Sequence, residues 1–249
     1  MTKNLLPVLE TKTFFALPIV NENWSTWQAW LQSFLLNKKS SLQIVMTPNP
    51  EQIMLARRDR RFYQGLQAAD LLLPDGSGLV WASGARAQLT GSDSVVEILR
   101  LARAHKLKIL LIGGRYNGDK NGQILANQTR IYYTQGYQNI NQPTQKETDS
   151  IKLLISDLRP DVVLVAFGAP AQEKWLKASR TFLQKNSVRL AMSVGGSFDF
   201  ILGKVKRAPA SWRKLHLEWL WRLFQEPCRL KRQLVLPQFA FLVWTKKLR

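Results

Sequence analysis

Short apolar runs recur along this chain at helix-length intervals, and that recurrence restricts the folds open to it more than any other feature. "TFFALPIV" (13–20), "LQIVM" (42–46), "DLLL" (70–73), "LKILLIG" (107–113), "DVVLVAFG" (161–168) and "VRLAMSVG" (188–195) read as buried strands. Between them, Trp24, Trp27, Leu31, Phe34 and Leu35 share one helical face, as do Val95, Val96, Leu99 and Ala102, and later Trp175, Leu176, Ser179 and Leu183. Strand and helix alternate. The pattern predicts an α/β, Rossmann-like fold: a mostly parallel sheet with helices on both faces, and ligands gathered beyond the carboxyl ends of the strands.

Those carboxyl ends carry polar residues. In "AADLLLPDGSGLV" (68–80), Asp75 follows a three-leucine run. An unpaired carboxylate is costly inside a core, so Asp75 belongs in a loop at the rim of the crevice. Two roles stay open for it: work on a ligand, or capping of a helix that begins near Gly76. Thr47 and Asn49 follow the second run, Gly113 and Gly114 close the fourth, and Gln172 lies in "GAPAQEKW" after the fifth. The glycine pair can bring backbone N–H groups close to a phosphate. Plainer roles exist too: turn and cap for Thr47 and Asn49, first-turn decoration for Gln172. "LTGSDSVVEIL" reads as a capped helix start, with Thr90 or Asp93 satisfying free N–H groups.

Composition narrows the partner. With 249 residues, 45% hydrophobic content and nine Trp, the chain has ample material for a folded core. Cys228 is alone, so no internal disulfide forms, as suits a reducing compartment. The first residues are cut by Glu10 and Lys12 and do not read as a secretory signal. No run reaches the roughly 18 apolar residues of a spanning helix, and "LVLPQFAFLVW" (234–244) contains Pro237. Lys and Arg number 36 against 17 Asp and Glu, a net charge of +19, which calls for a polyanionic partner. From Ser211 to Arg249 there are nine Lys or Arg against two Glu, together with Trp212, Trp219, Trp221 and Trp244. The Arg57, Arg58, Arg60 and Arg61 group reads as a solvated face. His105 and His216 form no metal-ligand set, and no Asp-x-Asp pair is present, so no metal or cofactor is expected.

In order along the chain, "TPN", "ADLLLPDG", "LTGSD", "LLIGG", "FGAPAQEKW", "VGGSFDFILGKVKRAP" and "LEWLWRLFQEPCRLKR" resemble the WecG/TagA/CpsF family of bacterial glycosyltransferases, over about residues 42 to 232. The resemblance implies an inverting transfer of a sugar, commonly N-acetylmannosamine, from a UDP donor to a lipid-diphosphate-linked acceptor. It also implies a place at the inner face of the cell membrane. By position, the family's general base falls on Asp75 and its substrate-positioning groups on Thr47, Asn49 and Gln172. Its tail arginines fall on Arg222, Arg229 and Arg232. The chain departs from the family at Gln88, where an arginine that steadies the diphosphate is usual; Arg86, two residues earlier, or the tail arginines are the candidates to replace it, and slower turnover or a different donor are the alternatives.

Residues 1–205 are thus expected to form the catalytic domain, and 206–249 a helical, basic and aromatic appendage that docks on an anionic membrane surface and completes the site. On a continuous helix the spacings of seven and three would set Arg222, Arg229 and Arg232 along one face, although Pro227 can split that helix in two. The alternative is a tail packed into the main core. A homo-oligomer stays open, because an apolar patch suits a sister subunit as well as a lipid surface. Two rival functions are weaker. A nucleic-acid-binding protein would explain the charge, but no helix-turn-helix, zinc-finger or RNP pattern occurs. A nucleotide-dependent oxidoreductase would suit the alternation, but no G-x-G-x-x-G follows the first strand.

Overall fold

A computed structural model describes residues 8–114, 121–196, 208–209, 212, 218–225, 234–245 and 247–248. Among them are strands β1 (Thr11–Phe14), β2 (Leu17–Val20), β3 (Gln43–Met46), β4 (Leu71–Leu72), β5 (Ile109–Gly113), β6 (Asn121–Ala126), β7 (Thr129–Thr134), β8 (Val162–Ala166) and β9 (Leu190–Ser193). They form one sheet in the order β1-β2-β4-β3-β9-β8-β5-β7-β6. Every pairing from β2 across to β7 is parallel, and only the outer hairpins β1–β2 and β6–β7 are antiparallel. The chain steps outward from β3 to β4, crosses to β5, and returns through β8 and β9 to lie against β3. That return sets the loops after β4, β3, β9 and β8 side by side on one edge.

The strands bury both faces, which is why they are continuously apolar rather than alternating. Ile44, Met46, Leu110, Ile112, Val163 and Val165 face one way and pack with Ile53, Phe62, Leu66, Ile155, Leu176 and Leu183. Those partners come from α2 (Pro50–Arg58), α3 (Arg60–Gln67), α6 (Gln145–Leu158) and α7 (Ala171–Lys185). Val45, Ile109, Leu111, Val162, Leu164, Leu190 and Met192 face the other way, against Trp27, Leu31, Phe34, Val95, Ile98 and Leu99. These belong to α1 (Trp24–Leu36) and α5 (Gly91–His105). Helices therefore cover both faces, as the alternation predicts. Local chemistry sets the helix starts: Asn23 caps α1, Thr144 and Glu147 make a reciprocal capping box on α6, and Pro50 opens α2 behind Asn49.

Three sequence expectations need correction. The run 13–20 is not one strand but the β1–β2 hairpin, because Phe15 and Ala16 both take φ of 53°, the geometry of a tight two-residue turn. Neither is a usual residue for that geometry. Tyr63 compensates, stacking edge-on against Phe15 at 5.4 Å and donating to the Phe15 carbonyl at 3.3 Å. The β6–β7 hairpin turns at Asn127–Gln128 in the same left-handed conformation and adds an edge whose strands carry no continuous apolar run. On α5, Val96 faces solvent; the buried face is Val95, Ile98, Leu99, Leu101 and Ala102.

Two helices of the C-terminal region are described, α8 (Glu218–Gln225) and α9 (Leu236–Trp244). The second is apolar on two sides. Phe239 and Leu242 are buried, with Phe239 edge-on to Phe14 at 6.5 Å; Leu248, just beyond, is buried too. Arg58 donates to the Gln238 side chain at 2.7 Å, fastening α9 to α2. Burying each such large apolar side chain contributes about 1.5–3 kcal/mol, so the inner face of α9 belongs to the core. Cutting the chain before residue 206 would expose that part of the core. Trp244 does not pack there: it is 76% exposed.

Candidate active site

The site assembles where the post-β3 and post-β4 loops are tied together. Leu73 donates to the Met46 carbonyl at 2.9 Å, and the Asp75 N–H donates to the Pro48 carbonyl at 3.1 Å. Thr47 and Asn49, both half-buried, flank that contact. Asn49 also caps α2, its side-chain oxygen accepting from the Gln52 N–H at 2.9 Å, which leaves its NH2 end for other work. The loop then passes directly over Pro50. A Cβ at Gly78 would come within 2.9 Å of the Pro50 ring, and Gly76 takes φ of 89°, so both glycines are required for the turn at Asp75.

Asp75 precedes the cap position of its own helix. The N-cap of α4 (Ser77–Ser83) is Gly76, which makes no side-chain cap. The carboxylate of Asp75 is half-buried and reaches the first residue of α5, accepting from the Gly91 N–H at 3.2 Å. A helix N-terminus is a favourable place for an anion. Thr90 caps α5, and its hydroxyl donates to Asp93 at 2.6 Å while accepting from the Asp93 N–H at 3.0 Å. The Leu89 N–H donates to the Pro74 carbonyl at 3.0 Å, which sets half-buried Gln88 beside the Asp75 loop.

Arg86 points elsewhere. Its guanidinium pairs with Glu10 at 2.7 Å and Glu22 at 3.7 Å, and its N–H donates to the Asn21 side chain at 3.0 Å. It thereby pins the β1–β2 hairpin, together with Lys12, whose ammonium donates to the Gly84 carbonyl at 2.5 Å.

Across the edge, Gln172 and Glu173 sit in the first turn of α7 and are almost wholly buried, at 4% and 1% exposure. The Gln172 amide donates from Nε2 to Glu173 Oε1 at 2.8 Å and accepts from the Gly195 N–H at 3.1 Å, linking α7 to the loop after β9. Gln172 is thus far more than a surface decoration of the helix. Burial pushes the Glu173 carboxyl above the usual range, against the downward pull of the Gln172 hydrogen bond and its own backbone N–H. Nothing in the sequence pattern singles out Glu173, because a glutamate in a first helical turn ordinarily faces water.

Gly113 and Gly114, with φ of 90° and 82°, carry the chain out of β5. A Cβ at Gly113 would come within 2.6 Å of the Phe167 ring, and the Gly114 N–H donates to the Ala166 carbonyl at 3.0 Å. Packing against Phe167 and the β8 end is the local reason for this pair. His105 lies in the last turn of α5, and Arg57, Arg58, Arg60 and Arg61 are exposed. Among the described residues no three His, Cys, Asp or Glu side chains group as a metal site. Arg222 lies on α8, while Arg229, Arg232, His216 and Pro227 fall outside the described residues. Among the described residues no helix is long and apolar enough to cross a membrane.

Comparison with known proteins agrees with the geometry. Residues 12–249 match the model of the "Glycosyl transferase WecG/TagA/CpsF family". The chain is 31% identical to the N-acetylglucosaminyldiphosphoundecaprenol N-acetyl-beta-D-mannosaminyltransferase of Bacillus subtilis, covering 94% of this chain and 91% of that one. The protein of the same name from Bacillus spizizenii is 29% identical, with 93% and 90% covered. The one from Staphylococcus aureus strain MRSA252 is 26% identical, with 85% and 83% covered. A doubly covered parallel sheet, with polar loops gathered on one carboxyl edge and a family match over nearly its whole length, makes this chain a member of the WecG/TagA/CpsF family of glycosyltransferases.

Proposed function

We propose that the protein transfers N-acetylmannosamine from a UDP donor to an N-acetylglucosamine linked through diphosphate to a polyprenyl lipid, with inversion at the anomeric carbon. The names of the relatives support this reading for acceptor and sugar. The observation that carries the mechanism is the placement of Asp75: a half-buried carboxylate just past the strand edge, accepting from the α5 N-terminus at Gly91.

In this reading the acceptor hydroxyl attacks the anomeric carbon as the bond to UDP breaks. Asp75 takes the hydroxyl proton, and UDP leaves with the bonding electron pair. Thr47, Asn49, Gln88 and Gln172 orient the substrates. The growing charge on the diphosphate needs cations, and Arg86 is already engaged by two glutamates. That duty falls to Arg222, Arg229 and Arg232 and to helix N-termini, without a metal ion. A panel of UDP-sugars incubated with a short-chain lipid-diphosphate acceptor, with UDP release followed, tests the reading. UDP-N-acetylmannosamine should turn over fastest, and EDTA should leave the rate unchanged. Release of UDP from no donor overturns the proposal, and loss of activity in EDTA that magnesium restores overturns the metal-free mechanism.

The same reading seats the protein on the inner face of the cell membrane. Its support is the outer stripe of α9 and its approach: Leu234, Pro237, Phe241 and Trp244 recur at helical spacing and face solvent, with Trp244 76% and Phe241 55% exposed. Exposed Phe224 on α8 adds to the apolar surface, and the net charge of +19 suits anionic headgroups. Replacing Phe241 and Trp244 together by Ser leaves the buried face of α9 intact. The variant should stay folded and no longer sediment with phosphatidylglycerol vesicles. If it sediments normally but a wild-type dimer dissociates, the stripe is a subunit interface instead.

A further inference from the structure

We infer that Glu173 is a positioning residue for the reaction: it holds the Gln172 amide in one orientation and, through it, the backbone at Gly195 on the carboxyl edge of β9. The inference rests on the reading of Gln172 as a group that orients substrate.

The orientation follows from donor and acceptor chemistry. A backbone N–H only donates, so the Gly195 N–H at 3.1 Å fixes the oxygen end of the Gln172 side chain. The other end, Nε2, then faces Glu173 Oε1 at 2.8 Å, and a carboxyl oxygen there accepts from it. A flipped amide would set donor against donor at Gly195. The two partners admit a single pose, and α3 seals it from behind. A Cβ at Gly65 would lie 3.3 Å from the Glu173 Cβ, tight enough that Glu173 would have to give by a few tenths of an ångström.

Glu173 is an expensive residue to use for packing. Its other oxygen, Oε2, has no hydrogen-bond partner, the one such buried side-chain atom among the described residues. Burial disfavours its charged form, and among the described residues no cation offsets this. A leucine of similar bulk would fill the space between α3 and α7 without an orphan oxygen. What a leucine cannot do is accept from Gln172.

The test uses Glu173→Leu, Glu173→Gln, Gln172→Ala and the double variant Gln172→Ala/Glu173→Leu in the full chain. Readouts are kcat and KM with UDP-N-acetylmannosamine and a short-chain lipid-diphosphate acceptor, the melting temperature, and amide exchange at Gly195. Glu173→Leu should melt no lower than wild type yet lose about tenfold or more in kcat, with faster exchange at Gly195. Glu173→Gln keeps an acceptor oxygen and should recover most of that loss. The double variant should be no slower than Gln172→Ala alone, since Glu173 acts through Gln172. Wild-type kcat and Gly195 protection in Glu173→Leu would overturn the inference, as would a lowered melting temperature with unchanged turnover per folded molecule, which marks a purely structural role. If wild-type protein itself releases UDP from no donor, the functional reading has failed. Exchange at Gly195 still decides whether Glu173 holds the Gln172 link.

Discussion

The helices α5 and α7 both present their N-termini to the active-site edge, and they are finished in opposite ways. The α5 end is closed by local polar chemistry: Thr90 and Asp93 satisfy each other, and Asp75 arrives from another loop to accept from Gly91. The α7 end has no side-chain cap at Pro170, and its first-turn side chains turn inward, Gln172 to Gly195 and Glu173 to Gln172. Each helix also buries one glutamate. Glu97 on α5 is gripped by Arg100 at 2.7 and 2.9 Å and reached by Gln28 at 3.3 Å, and the Arg100 hydrogen bonds hold its carboxyl below the usual range despite burial. Glu173 on α7 has only an amide for company, and burial drives it the other way. The difference teaches that partners, not burial alone, set the charge a buried carboxyl carries. One helix end therefore receives a carboxylate from another loop while the other fixes the orientation of an amide.

The sharpest way to break that division of labour is Asp75→Asn. The amide is nearly isosteric and still accepts from Gly91, so the fold and UDP binding should persist, with the melting temperature within about 2 °C of wild type. Loss of the proton acceptor should cost roughly a hundredfold or more in turnover. Near wild-type turnover would reduce Asp75 to a cap on α5 and leave the site without a base.

A smaller effect separates the two glutamates by pH. Glu173 has its carboxyl raised from 4.5, so the fold favours its neutral form; its contribution is full at low pH and is lost as pH rises from the unfolded value through the raised one. Glu97 is lowered from 4.5, so its contribution is present above that value and is lost as pH falls below it. Relative to wild type, Glu173→Gln should gain stability as pH climbs from 4 to 8, by about 1–3 kcal/mol, the scale of an unsatisfied buried polar group. Glu97→Gln should lose about 0.5–1 kcal/mol above pH 5 and less as pH falls through 4 and below, the figure being modest because Arg100 is largely exposed. Thermal melts of both variants across that range check the pair. Parallel pH curves would mean that the two sites are alike after all.

The same contrast explains what could be read from the chain before its fold was known. The sheet, its coverage on both faces and the α5 start were legible because their causes are local: continuous apolar runs, helical faces, and a Thr-x-x-Asp spacing at Thr90 and Asp93. Asp75 was legible as a rim residue because a carboxylate after three leucines has nowhere else to go. Its partner Gly91 was not, since the contact depends on where β4 lies relative to α5. The role of Glu173 stayed hidden because its burial is created by α3, more than a hundred residues earlier in the chain, meeting α7 through Gly65. The partners of Arg86 were hidden for the same reason. Its spacing from Gln88 suggests a replacement for the family's arginine, while the β1–β2 hairpin, folded out of a run that reads as one strand, pairs its guanidinium with Glu10 and Glu22.

The smallest effect probes whether the two helix ends are as separate as they look. Thr90→Ala removes the α5 cap, which should cost about 1 kcal/mol, or roughly 2–4 °C for a chain of this length. Its consequence for turnover is indirect. Without the cap the first turn of α5 frays, Gly91 no longer holds a fixed place, and the hydrogen bond that steadies Asp75 weakens. The base itself remains. Turnover should therefore fall only severalfold, far less than in Asp75→Asn, and Thr90→Ser, which keeps the hydroxyl, should restore both stability and rate. Amide exchange at Gly195 on the α7 side should not change. If Thr90→Ala speeds that exchange as well, the two ends are coupled through the site, and their separate finishing is a single device.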